Sequence, residues 1–191
     1  MNTKITSLPI LPILALIILS IAGSVNAQEC GIDRWRIKTI RDPIAKQINW
    51  KAVKSSIADQ IGLERGFDKG WKTLARQQDE SQLYKITCTL VELGKEDDND
   101  YHLVIKDPKT GKTMIAEIPD PDCKELSNTK LAPKYRQARE VLKKVYGEPG
   151  AIVKVKPMKI TIWGIGFWEK MNHGTGHSTN GREIHPVVGI E

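Results

Sequence analysis

Four histidines, His102, His173, His177 and His185, set what metal chemistry is open to this 191-residue chain. His173 and His177 lie four apart, but Gly174-Thr175-Gly176 between them opposes a helix, so they do not make the helical pair of a zinc protease. Glu183 and His185 alternate along a β-rich run, which aims both side chains at one face. His102 opens an earlier strand, and His173 sits in the loop before Glu183. The candidate metal set is therefore His102, His173, Glu183 and His185. Imidazole and carboxylate suit zinc or copper, so a divalent metal is the cofactor this set would take. The competing reading is structural, with strand-end histidines bonding loop carbonyls.

Two further groups carry chemistry. The turn Glu96-Asp97-Asp98-Asn99-Asp100 offers carboxylate oxygens, the ligands a hard cation needs, and Asp98 and Asp100 with His102 form a candidate ligand site. An Asp-rich turn is also what solvent-facing hairpins carry, because Asp and Asn bond their own backbone. Trp163 and Trp168, beside Lys154, Lys156 and Lys159, would stack bases or sugar rings against an anionic backbone, or else fill a core. The chain has no Gly-rich phosphate loop, no Ser-His-Asp ordering and no electropositive cysteine context, so no catalytic residue is assigned.

The elements that position these residues centre on Tyr84–Pro119. Tyr84 to Leu93 is β-rich and alternating, Tyr101 to Lys106 resumes the pattern after the acidic turn, and Thr113 to Ile118 follows a hairpin at Asp107-Pro108-Lys109-Thr110-Gly111. Short connections make these strands an antiparallel meander. Pro133 and Gly147 bound a helix with an apolar stripe of Tyr135, Ala138, Val141, Leu142 and Val145. Val153 to Trp168 reads as a fourth strand, interrupted at Pro157 and bulged at Gly164 and Gly166. Asn172 to Asn180 is a loop, and Glu183 to Ile190 a fifth strand. Upstream, the alternation of Ile32, Arg34, Arg36 and Lys38 against Trp35 and Ile37 predicts a short strand. Trp50 and Val53 are expected to pack this arm onto the barrel. Ser55 or Ser56 caps a short helix ended by Gly62, and Glu64 to Gln82 is a surface loop pinned by Phe67, Trp71 and Leu74.

The N-terminus addresses the chain. Lys4, the apolar run Leu8–Ala22 and Val25-Asn26-Ala27 form a signal peptide over residues 1–27, cleaved before Gln28. The run is short for a membrane span, and Ala27-Gln28-Glu29 before Cys30 is no lipobox. A soluble secreted or periplasmic protein is expected, with no stable membrane span after cleavage. Cleavage removes one Lys and no acid, lowering the net charge from +6 to +5 over 164 residues. Dispersed positive charge permits an anionic partner but also serves solubility. Export favours a disulfide. Cys88 shares a strand face with Tyr84, Ile86 and Leu90 and belongs in the core, which leaves a Cys30–Cys123 bridge.

The expected fold is mainly β: a small five-stranded OB-like barrel over residues 83–191, with one helix between its strands three and four. Residues 28–82 form an N-terminal arm and surface loop packed on it. The run Asp100 to Asp107, then Gly111 and Met114 to Ile118, resembles the hairpin of small periplasmic OB-fold proteins. Arg34-Trp35, Ile37-Lys38-Thr39, Asn180-Gly181 and Glu183 to Val187 are similar to a group of exported bacterial proteins without an assigned activity, which implies a fold and an address. The layout also resembles staphylococcal-type thermonucleases, whose calcium-binding aspartates fall where Asp98, Asp100, Asp120 and Asp122 stand. That family places an Arg in the third strand to meet phosphoryl charge, and Met114–Ile118 has none. The expectation is an exported, non-enzymatic binding or interaction module. Metal-dependent phosphodiester hydrolysis is the alternative, and an envelope protein docking on the arm Gln28–Trp50 is a third class.

Overall fold

The computed structural model describes residues 30–31, 33–67 and 70–191. The signal peptide expected over residues 1–27 lies outside them. Among the described residues the elements are α1 (Trp35–Lys38), β1 (Asn49–Ser55), α2 (Ile57–Ile61), β2 (Gln82–Lys95), β3 (Tyr101–Lys106), β4 (Thr113–Ile118), α3 (Ala132–Tyr146), β5 (Val153–Trp168) and β6 (Arg182–Ile190). Single 3-10 turns at Ala45–Gln47, Trp71–Thr73 and Gln78–Glu80 punctuate the first half. No helix among the described residues is long and apolar enough to cross a membrane.

The meander forms as expected, and its turns show why. Asp107 Oδ1 accepts the amides of Lys109 and Thr110, both at 2.9 Å, which folds the chain back from β3 into β4. Asn99 takes the left-handed conformation that closes the acidic turn. Ser56 caps α2 through a capping box with Asp59, and Gly62 ends it. Pro133 stands in the first turn of α3 and Gly147 follows its last.

All six strands join one sheet in the order β1-β2-β3-β4-β6-β5, and β2 also pairs antiparallel with β5, so the pairings close into a ring. The closure is uneven: β4 and β6 meet in parallel at a single pair, Ala116 with Ile184. A regular five-stranded barrel is thus replaced by a six-stranded, ring-like sheet with α3 between β4 and β5. Register shifts at Trp163/Gly164 and Gly164/Gly166 place a bulge at the expected glycines. At Gly166 a Cβ would lie 1.9 Å from the Arg182 guanidinium, so the missing side chain makes room for that buried cation.

The hydrophobic core takes alternate residues from every strand of the ring: Ile86, Cys88 and Leu90, Leu103 and Ile105, Met114, Ala116 and Ile118, Ile160 and Ile162, and Ile184. Tyr135, Ala138 and Leu142 of α3 close it. Each fully buried Leu or Ile side chain here contributes roughly 1.5–3 kcal/mol of transfer free energy. Cys30 and Cys123 are disulfide-bonded and Cys88 is a buried free thiol, as the sequence predicts. Burial first, then the charge of Asp107, pushes the Cys88 thiol up to about 12.

Two expectations are corrected in the arm. Residues 35–38 form a helical turn rather than a strand, because Arg34 adopts φ 53° and is anchored by tertiary contacts that strand pairing would break. Trp50 and Val53 do not pin the arm to the barrel. They are 45% and 46% exposed on β1, which pairs in parallel with β2 and adds the sixth strand. Backbone pairing, not side-chain burial, holds that strand, so its sequence carries no apolar alternation.

Candidate functional site

Alternation that feeds the core with one set of residues sends the intervening ones to the opposite face. On β3 this turns His102 and Val104 away from the core; on β4 it does so for Ile115 and Glu117, and on β6 for Glu183 and His185. His102 and Glu117 are direct cross-strand partners. Asp100, two residues before His102, falls on the same side. The result is a second, polar interior, covered by α1 and the loop over residues 172–181.

Glu117 is its centre. Its Oε1 lies 3.3 Å from His102 Nδ1 and its Oε2 2.6 Å from His185 Nδ1. On the far side, His185 Nε2 is 3.3 Å from Asp100 Oδ2, while Asp100 Oδ1 accepts the Asp120 amide at 2.8 Å. Glu96 Oε1 reaches His102 Nδ1 at 2.8 Å from the acidic turn. His102 Nε2 is 2.9 Å from the carbonyl of Thr175, so that ring nitrogen is the donor. The loop comes this close because of Gly176, at φ +81°, where a Cβ would stand 2.4 Å from Val104 Cγ1. From α1, the Lys38 ammonium reaches Glu169 Oε2 at 2.8 Å and lies 5.3 Å from the centroid of the Phe167 ring.

Burial is the largest single influence on every ionisation here, and for several groups neighbouring charges and hydrogen bonds together outweigh it. It opposes the charged ring of His102, but hydrogen bonds to Glu117 and Glu96 outweigh it and raise the pKa to about 10. For His185 burial is likewise outweighed, by the charge of Glu117 and contact with Asp100, giving about 9. Burial raises Asp100 to about 6 even though His185 pulls it down. Glu117 is held well below the usual carboxylate range: burial pushes it up, but the charge of His185 and the bond to His102 prevail. Burial and the neighbouring Glu117 and Glu169 charges hold Glu183 well above that range. Burial disfavours the Lys38 ammonium, yet Glu117, Glu169 and Glu183 raise its pKa.

A recess of about 400 Å³ opens onto this cluster, lined by Lys38, Glu96, Asp97, Asp98, Glu117 and His173. Of the sequence-predicted metal set, His102 and His185 converge on Glu117, and Glu183 is buried within electrostatic reach of both Glu117 and Lys38. His173 is exposed and only lines the rim. Asp98 accepts the Asp100 amide at 3.2 Å and also lines the recess. Glu117, Glu96 and Lys38 belong to this cluster, though their spacing in the sequence does not group them with the histidines. The signal for Glu117 was an acid inside the apolar run Met114-Ile115-Ala116-Glu117-Ile118, on the polar side of the alternation.

The remaining candidates lie elsewhere. Trp168 is 1% exposed, with Nε1 donating to Asp79, so it packs and offers no free stacking face. Trp163 is half-buried, with Lys85 Nζ 4.6 Å from its ring centroid, and lines a separate groove of about 670 Å³ with Trp50, Leu131 and Lys134. Asp122 is paired with Arg136 at 2.7 Å and Asp120 with Arg139 at 3.4 Å. No family model, curated protein or solved structure matches the chain.

Proposed function

We propose that the protein is an exported, OB-like binding module whose ligand is a divalent transition-metal ion, held by Glu96, His102 and Glu117 at the floor of the recess. One observation carries this. His102 donates its Nε2–H to the Thr175 carbonyl and turns Nδ1 toward two carboxylate oxygens, at 2.8 and 3.3 Å, so the position between them takes a cation: the second proton of the charged ring, or a metal that displaces it. A metal-ligating histidine characteristically donates its other nitrogen to a carbonyl or carboxylate, which fixes tautomer and orientation. Tetrahedral zinc, with bonds near 2.0–2.1 Å, separates neighbouring ligand atoms by about 3.3 Å. The recess supplies entry and room for water to complete the coordination sphere.

The OB-like reading is supported by the antiparallel β2–β3–β4 meander, α3 before β5, the parallel contact of β4 with β6 and the closing β2–β5 ladder. Export is supported by the apolar N-terminal run and the disulfide. Binding is favoured over phosphodiester hydrolysis because β4 carries no Arg and Asp120 and Asp122 are engaged by arginines of α3.

The test is metal analysis and calorimetry on tag-free protein titrated with Zn²⁺. Binding well below 1 mM, lost in Glu117→Gln and weakened in His102→Ala with the circular dichroism unchanged, is expected. A wild-type protein that binds no tighter than about 1 mM, roughly −4 kcal/mol, would overturn the reading.

A further inference from the structure

We infer that Glu117 bridges two divalent cations, the second one held by Asp100, Glu117 and His185 behind the first. The inference rests on the metal-binding reading and adds a site to it. One ligand atom from each of Asp100, Glu117 and His185 lies within 4.8 Å of the others, and the same holds for Glu96, His102 and Glu117. Glu117 alone belongs to both groups, and its two oxygens face the two different imidazoles.

The second group is distinguished by what its atoms lack. Asp100 Oδ2 and both ring nitrogens of His185 are buried without a hydrogen-bond partner. Short separations exist, 2.6 Å to Glu117 and 3.3 Å to Asp100, but the oxygens lie off the N–H directions. Leaving a buried polar atom unpaired costs roughly 1–3 kcal/mol, which is why native proteins rarely do so. Trp35, Tyr135, Arg139 and Arg182 each leave one such atom; His185 and Asp100 together leave three along one chain of contacts. An ion on the lone-pair axis of one ring nitrogen holds its other ligands off that axis, and the 3.3 Å between His185 Nε2 and Asp100 Oδ2 matches the ligand spacing of tetrahedral zinc, about 3.3 Å.

Charge points the same way. Glu96, Asp100, Glu117, Glu169 and Glu183 supply five carboxylates to this interior, and Lys38 is the cation α1 sends into it. Even with Glu183 protonated, the carboxylates outnumber the one lysine, so this interior draws cations. Carboxylate-linked pairs of divalent ions at about 3.5–4 Å are a recurrent arrangement in proteins.

The experiment loads the full mature protein with Zn²⁺ or Mn²⁺ and counts ions per chain by native mass spectrometry. Two ions are expected in the wild type, one in Asp100→Asn and in His185→Asn, and none in Glu117→Gln. The Mn²⁺-loaded wild type is expected to give the electron paramagnetic resonance spectrum of an exchange-coupled pair, which needs no variant to fold. Saturation at one ion per chain with an uncoupled spectrum overturns the bridge while leaving the single site standing. Two ions that persist in Asp100→Asn and His185→Asn also overturn it. No bound ion in the wild type removes both readings.

Discussion

Two buried clusters of charge lie on the same side of this sheet, and they are finished to different degrees. In the first, Arg34 meets Glu80 in a two-pronged pair at 2.8 and 2.6 Å. All five N–H groups of the guanidinium are used, the others going to carbonyls of Trp168, Leu74 and Ala75. Glu80 in turn accepts the amides of Trp168 and Gln77. In the second, two histidines share the Glu117 carboxylate, and both His185 ring nitrogens and Asp100 Oδ2 have no hydrogen-bond partner. A complete network specifies position: it fixes the arm and the 3-10 turn against the end of β5. An incomplete one, beside a recess open to solvent, leaves polar atoms without partners.

The largest effect that separates them is expected from Arg34→Met, which strands Glu80 without its partner. A loss of about 3–5 kcal/mol in urea denaturation is predicted, with metal stoichiometry in the surviving native fraction unchanged. Equal stability to wild type would mean that the first cluster is not what holds the arm. Next comes Cys30→Ser with Cys123→Ser. The bridge spans 93 residues and tethers the segment that carries both Arg34 and Lys38. Its removal is predicted to lower stability by about 2–4 kcal/mol, measured without reductant.

Chelation sharpens the contrast further. Free metal at 100 times Kd stabilises the native state by about 2.7 kcal/mol, so EDTA should lower the Tm of wild type and of Arg34→Met alike. The same treatment should leave Glu117→Gln unmoved, and a matching drop in that variant would place the metal elsewhere.

The smallest effect concerns pH in the metal-free protein. His102, facing Glu96 and Glu117, and His185, facing Asp100, Glu117 and the nearby Lys38, have folded pKa values of about 10 and about 9 against 6.5 unfolded. Raised values mean that the stabilisation is complete below pH 6.5 and is lost as pH climbs through 9 and then 10. Thermal melts in EDTA should therefore decline over that window, whereas melts of the metal-loaded protein, whose imidazoles are already deprotonated, should not. A flat profile without metal would show that the two rings are neutral in the apo protein.

Much of this was legible in the residues. β3 and β4 begin and end where alternation and their bounding Asp-Pro, Gly and Pro signals put them. The ends of α2 and α3 follow Ser56, Gly62, Pro133 and Gly147. β1 was not legible, because Asn49–Ser55 is exposed along nearly its whole length and is held through its backbone. The turn Trp35–Lys38 was misread, because alternating burial of Trp35 and Ile37 arises as easily from a loop clamped at Arg34 as from a strand. In the site, Asp100, His102 and His185 were in view, but their common partner was not. Glu117 lies 15 residues from His102 and 68 from His185, so local spacing does not report the meeting.

By itself, then, the sequence determined β2 to β6, α2 and α3, the core face and the disulfide, because alternation, capping and cysteine placement act locally or by elimination. It also determined which ionisable residues would stand on the side away from the core, since strand periodicity sorts each residue to one face. Only the tertiary structure decided that Glu117 stands between two histidines and that a loop carbonyl takes the His102 proton. It alone left Asp100 Oδ2 and both ring nitrogens of His185 buried without hydrogen-bond partners. Those outcomes depend on strand register, a bulge at Gly164–Gly166 and the closure of a distant loop, and none of these is encoded in the spacing of the residues they bring together.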